Sequence, residues 1–131
     1  MINSTWSNNA KYTETILNID NSKAYDLYGN ILGIVRNGLQ LPTNALGPID
    51  LLKYTYDGNK LIAIDDNIIT YNGGDFLDNG SKYTGTAEYT YDANGNLTKD
   101  VNKGILSITY NYLNLPVSIT KSGGNRVEYS Y

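Results

Sequence analysis

Apolar and polar positions alternate with a period of two in several stretches of this chain. In residues 51–57 one face carries Leu52, Tyr54 and Tyr56, and the other Lys53, Thr55 and Asp57. In residues 86–92 the faces are Ala87, Tyr89 and Tyr91 against Glu88, Thr90 and Asp92. Residues 105–112 put Leu106, Ile108, Tyr110 and Tyr112 on one side, and residues 126–131 do the same with Val127, Tyr129 and Tyr131. Period-two alternation predicts half-buried strands. Tight-turn signals follow at Gly29-Asn30, Asp57-Gly58-Asn59 and Asn94-Gly95-Asn96, where Gly and Asn tolerate the positive φ of a hairpin. Short strands then run over 30–36, 60–65 and 96–101, ended by second turns at Asn37-Gly38, Asp66-Asn67 and Lys103-Gly104. No apolar stripe of helical period is long enough to predict a helix. Residues 45–52 have room for a short helical turn, but Pro42 and Pro48 predict a loop there. The pattern predicts an all-β fold, an antiparallel twisted sheet of tandem β-hairpins forming one domain over residues 1–131.

The apolar faces carry a repeated signature. Tyrosine directly precedes Asp or Asn at Tyr25-Asp26, Tyr56-Asp57, Tyr91-Asp92 and Tyr110-Asn111, each followed by a turn. Those turns hold Gly29 and Asn30, Gly58 and Asn59, Gly95 and Asn96, and Asn114 before Pro116. A fifth copy begins at Tyr129-Ser130-Tyr131. Tyr91, Tyr110 and Tyr131 lie about 20 residues apart, the length of two short strands and two turns. Earlier spacings are longer, and the excess lies at 38–48 and in a polar, Gly-rich insert at 68–81.

Composition narrows the chemistry. The 131 residues are enough for one modest core, and the net charge of −3 has no basic run to attract nucleic acid or an anionic membrane. Cysteine and histidine are both absent, which removes disulfides, thiolate nucleophiles, zinc–thiolate sites and the usual neutral-pH proton shuttle. No apolar run reaches the roughly 20 residues of a membrane-spanning helix. The first residues lack the basic start and apolar stretch of a signal peptide. Thirteen tyrosines stand against one Phe and one Trp. Tyr suits a half-buried sheet face, with its ring packed and its hydroxyl wet or bonded.

The repeated segments resemble the RHS repeats, also called YD repeats. Tyr91-Asp92-Ala93-Asn94-Gly95-Asn96-Leu97 carries the full pattern, Tyr25 to Ile31 has Ile for Leu, Tyr56 to Leu61 is shortened, and Tyr110 to Pro116 is similar to the Asn-Leu-Pro variant. The resemblance spans residues 12–131 and has a bacterial style. It implies a β-sheet strip that is part of a hollow shell in a larger secreted or cell-surface, toxin-like protein. The implied partners are other repeats of the same kind, or self-association through sheet edges; carbohydrate binding is the alternative function. The Asp-Pro and Gly-Leu core segment linked to self-cleavage in complete members is missing, so cleavage and toxin activity do not carry over.

Individual residues fit structural roles better than chemical ones. Asp57 and Asp92 recur with their turns, as side chains that accept hydrogen bonds from turn amides do, and Asp26 and Asn111 hold the matching position in their copies. A glycosidase needs two carboxylates about 5–10 Å apart in a cleft, and Asp65, Asp66 and Glu88 are not clustered by any motif. Residues 92–96 have a passing likeness to half a calcium loop but lack its ligand spacing and closing Glu. Gly73-Gly74 and Gly123-Gly124 read as turns, and Trp6 as an edge plug. No catalytic residue, cofactor or metal site is expected. Tyr54, Tyr89 and Tyr110 are the candidate ligand contacts, because exposed Tyr rows can stack on sugars; cross-strand packing is the competing role.

Overall fold

A computed structural model of the chain describes residues 13–16, 23–68, 76–80 and 82–131. Trp6, Tyr12 and Gly73-Gly74 lie outside them. The described residues form strands, turns and irregular segments, with no helix among them. The chain divides into two compact units, Met1–Asp78 and Asn79–Tyr131, each with its own antiparallel sheet. The repeats predict one continuous sheet; hydrogen bonding builds two.

The first unit holds β1 (Thr13–Ile16), β2 (Gly33–Gln40), β3 (Ala45–Asp57) and β4 (Lys60–Asp66), in that spatial order. Lys60–Asp66 lies where the alternation places it. Two expectations fail between β2 and β3. Asn37-Gly38 is no turn but lies inside β2, and residues 45–52, read as a loop or helical turn, form the first half of β3. The reversal moves to residues 41–44, where Asn44 takes a φ of 54° and its amide donates to the Gln40 carbonyl at 2.8 Å. Pro48 is tolerated within β3 because the register shifts there: Arg36 faces Asp50 and Asn37 faces Pro48, which leaves Ile49 as the extra residue. Gly47 lets the Gln40 side chain cross the strand and donate to the Pro48 carbonyl at 2.9 Å; a Cβ at Gly47 would lie 2.8 Å from that side chain.

The second unit is a five-stranded meander of β5 (Tyr89–Tyr91), β6 (Leu97–Asp100), β7 (Ile105–Tyr110), β8 (Pro116–Lys121) and β9 (Arg126–Glu128). Its four turns, the last at Gly123-Gly124, are the predicted ones. The expected face of β7 is broken, however. A register shift between Ile105 and Ser107 sets Leu106 aside, and it is 57% exposed; Tyr112 falls in the next turn and is 91% exposed.

Among the described residues neither sheet has a large apolar core. The buried apolar residues are Ile49, Leu52, Ala63 and Tyr89, whereas Asp50, Asp65, Asp66, Glu88, Asp100, Asn102 and Ser118 are buried polar ones. The alternation places Glu88 on the polar face, but Glu88 is buried. With more polar than apolar side chains buried among the described residues, stability here rests heavily on satisfied hydrogen bonds.

Candidate functional site

Three of the Tyr-Asx segments close in the same way. The Asp26 Oδ1 atom accepts from the amides of Tyr28 and Asn30, both at 2.8 Å. The Asp92 Oδ1 atom accepts from Asn94 at 2.9 Å and Asn96 at 2.8 Å. The Asn111 Oδ1 atom accepts from Leu113 at 2.9 Å and Leu115 at 3.0 Å. In each, the amide two and four residues on is the donor, as a short side chain bent back over its own turn allows. The residue three positions on must turn left-handed. Gly29, Gly95 and Asn114 hold φ values of 84°, 85° and 59° there. Asp57 departs from this pattern and from its predicted role. Its copy is shortened to a two-residue hairpin in which Asp57 pairs with Lys60, and its carboxylate is exposed.

These turns are linked to their neighbours by side chains. The Asn96 and Asn94 Nδ2 groups both donate to Asn114 Oδ1, at 2.9 and 3.0 Å. In the first unit the Asn30 Nδ2 group donates to the Gly58 carbonyl and to Asn59 Oδ1, each at 3.2 Å. A second set of links uses tyrosine. A register shift occurs at each Thr-Tyr step, Thr55-Tyr56, Thr90-Tyr91 and Thr109-Tyr110. It leaves Ile62, Thr98 and Val117 as the extra residues on the facing strands. A bulge disturbs the ladder beside it. The Tyr56 hydroxyl donates to the Ile31 carbonyl at 2.9 Å, Tyr110 to Leu97 at 2.7 Å and Tyr131 to Pro116 at 2.7 Å. Ile31, Leu97 and Pro116 are the facing partners of Tyr25, Tyr91 and Tyr110. Each tyrosine hydroxyl thus satisfies a carbonyl of the preceding repeat, which accounts for Tyr where Phe would pack equally well.

The electrostatics of the turns follow from these bonds. The Asn96 side chain and the Asn96 and Asn94 amides hold the Asp92 carboxyl below its usual value of 3.8. At Asp26 partial burial opposes ionisation, but the Asn30 side chain and the Asn30 and Tyr28 amides outweigh it and lower the value likewise. A depressed folded value stabilises the protein above pH 3.8, and that contribution is lost as the pH falls through the folded value. Asp92→Asn is therefore expected to be close to wild type at pH 7, because Asn111 already does the same job with an amide. It should lose less stability than wild type on acidification, whereas Asp92→Ala should be destabilised at both pH values. Urea titrations at pH 7 and pH 3 measure this; an Asp92→Asn protein as weak as Asp92→Ala at pH 7 contradicts it.

The three candidate ligand tyrosines are placed differently. Tyr89 is 8% exposed and its hydroxyl accepts from Asn102 Nδ2 at 2.9 Å. Burial, only partly offset by that bond, pushes its phenol up to about 12. Tyr110 is half-buried with its hydroxyl used on Leu97. Neither presents a free ring with a free hydroxyl. Tyr54 is half-buried and lines an open groove of about 310 Å³ with Glu14, Ile34, Arg36, Leu52 and Phe76. Desolvation, partly offset by Arg36, raises its phenol.

Buried carboxylates are the feature that the alternation pattern missed. Asp50 is fully buried and meets the Arg36 guanidinium at 2.7 Å. Asp66 Oδ1 accepts from the amides of Leu51 and Ile68 at 3.0 and 2.9 Å, Asp100 Oδ1 from Lys103 at 2.9 Å, and Glu88 Oε2 from Asn102 at 3.0 Å. These are backbone and side-chain anchors, and the groove itself is lined by one carboxylate, Glu14. Among the described residues no group of three or more acidic side chains is arranged to hold a metal. No model of a known protein family, no curated protein and no solved structure matches the chain.

Proposed function

We propose that this chain is a structural repeat module: a stretch of RHS-type wall whose rungs extend a β-sheet within a larger secreted or surface, toxin-like protein. One observation carries the reading. Inside each unit two neighbouring Tyr-Asx turns, those of Asp26 and Asp57 and those of Asp92 and Asn111, are tied by the same pair of devices, an Asn side chain across the turn tips and a tyrosine hydroxyl on the preceding repeat's carbonyl. Links of that kind add one rung to another and do not enclose a substrate. Two of the three candidate sugar-contact tyrosines use their hydroxyls internally, which leaves the carbohydrate alternative resting on Tyr54. The buried carboxylates anchor backbone, so the module is read as non-enzymatic.

Duplication tests it. A second copy of residues 92–110 inserted after Tyr110 keeps the order of turn, strand, turn and strand. In a repeat array each unit contacts its neighbours and stability is a sum of unit and interface terms. The longer protein is expected to fold with two added strands, a larger urea m-value and a midpoint at or above that of the parent. An insertion that abolishes cooperative unfolding would exclude an extendable wall.

A further inference from the structure

We propose that the groove on one face of the first sheet binds a small organic ammonium ion, a positively charged nitrogen carrying alkyl groups, as in choline. The proposal concerns the first unit alone and does not rest on the wall reading. Opposite residues of a ladder share a face, and every second residue along a strand returns to it. Glu14 lies opposite Arg36, and Arg36 opposite Asp50. In the neighbouring row Ile34 lies opposite Leu52, and Tyr54 is the next residue of β3 on that face. Glu14, Ile34, Arg36, Leu52 and Tyr54 therefore point the same way. With Phe76, whose backbone bonds to Asp50, they line a space of about 310 Å³, the size of a site for one small molecule.

Charge selects the sign of the ligand. The Arg36 guanidinium is matched by the buried Asp50 at 2.7 Å, and Asp66 stands close enough to Asp50 for the two carboxylates to repel. The Glu14 carboxylate is exposed, and no ion pair among the described residues takes it. One guanidinium is thus set among three carboxylates. The surplus is negative, so a cation is attracted and an anion repelled. The rest of the lining selects the kind of cation. Among the described residues no three acidic groups converge to hold a bare metal ion. Ile34, Leu52 and the Tyr54 and Phe76 rings suit a cation with an apolar surface. Aromatic faces attract a weakly hydrated alkylammonium through the ring quadrupole, and a carboxylate beside them completes its charge. A sugar would need many polar partners, and here Arg36 is already engaged by Asp50.

The test uses the whole chain, with choline chloride as the probe and backbone amide NMR spectra at constant ionic strength as the readout. Choline is expected to shift the amides of Ile34, Leu52 and Tyr54 saturably. Its neutral carbon isostere, dimethylbutanol, should bind about tenfold more weakly, because it lacks the charge. Glu14→Gln and Tyr54→Leu should each weaken choline about tenfold, whereas Tyr54→Phe keeps the ring and should retain binding. Should Tyr54→Leu fail to fold, Glu14→Gln still decides, since Glu14 is exposed. An absence of saturable shifts overturns the proposal, and so does equal binding of choline and its isostere. A neutral disaccharide that binds where choline does not also overturns it, in favour of the carbohydrate alternative. The wall reading is untouched by any of these results and stands or falls with the duplicated-repeat protein.

Discussion

Arg36→Met is expected to destabilise the first unit by about 3–5 kcal/mol, the usual cost of removing one partner of a buried ion pair. Asp50 is wholly buried, and among the described residues the Arg36 guanidinium charge at 2.7 Å is its main compensation, with a weaker hydrogen bond from the Phe76 backbone. Burial already raises the Asp50 carboxyl above 3.8, Arg36 opposes that rise, and the Asp66 carboxylate adds to it. A raised folded value means that the folded protein holds this proton more tightly than the unfolded chain. The stabilising contribution is full below pH 3.8 and is lost as the pH rises through the folded value. Removing Arg36 raises the folded value further, so the deficit of Arg36→Met should shrink on acidification from pH 7 to pH 5. Arg36→Met with Asp50→Leu removes both charges and should recover most of the loss, since an apolar pair of similar volume is often neutral. Urea titrations followed by far-UV circular dichroism, with amide exchange in β2 and β3 to localise the effect, measure these changes. A loss under about 1 kcal/mol at pH 7 would show that water compensates Asp50 and that the pair matters little.

The second unit should be most sensitive at Asn102, a buried residue in the turn after β6. Its Nδ2 group donates to Glu88 Oε2 at 3.0 Å and to the Tyr89 hydroxyl at 2.9 Å. Its Oδ1 atom accepts from the amides of Asn79 and Gly80 at 2.8 and 3.1 Å, and its carbonyl from Asn79 Nδ2 at 2.7 Å. Asn102→Ala removes four of these bonds at once and leaves a carboxylate among the groups that lose a partner. Each buried polar group without its partner costs about 1–3 kcal/mol, so a total of about 3 kcal/mol or more is expected. Asn102→Asp keeps the acceptors but sets a carboxylate beside Glu88; it should be as damaging as Ala at pH 7 and partly relieved by acid. Urea unfolding gives the loss, and faster exchange at the Asn79 and Gly80 amides gives its location. If Asn102→Ala unfolds at the wild-type midpoint with unchanged exchange at those amides, the network is not what holds this turn.

The hairpins were legible because their signals are local. A short chain that must reverse needs positive φ at a defined place, and Gly58, Gly95 and Asn114 announce it. Lys60–Asp66 follows its turn with the expected alternation. The reversal between β2 and β3 was misplaced because Asn37-Gly38 is also a turn signal. Its long antiparallel pairing with β3 overrides the local preference and carries the strand on to Gln40. Leu106 was misassigned for a related reason: period-two reasoning assumes an unbroken pleat, and a single bulge moves every later side chain to the other face.

The candidate site was half legible. The recurring Tyr-Asx pairs located the turns; Asp92 accepts from its turn amides as expected, Asp57 does not, and Asp26 and Asn111 make the same bonds as Asp92. The Asn rungs and the tyrosine-to-carbonyl links were not visible, because each joins residues 13 to 29 positions apart and depends on which turns lie side by side. The Thr-Tyr step recurs at three of the five register shifts, those beside the Tyr-Asx turns, and it is the signal that would have found these three. The alternation places Glu88 on the polar face and singles out neither Asp50 nor Asp100, because a local pattern does not show which carboxylates meet a buried partner. Asp50 and Glu88 lie inside because Arg36 and Asn102 meet them there.

By itself, then, the amino-acid order determined the all-β class, the antiparallel hairpins and the positions of most turns, since those depend on backbone preferences within a few residues. Only the tertiary structure decided that the described strands form two sheets, where the bulges fall and which carboxylates are buried. Those outcomes depend on pairing between distant segments, where backbone hydrogen bonds and a few buried polar contacts outweigh local propensity.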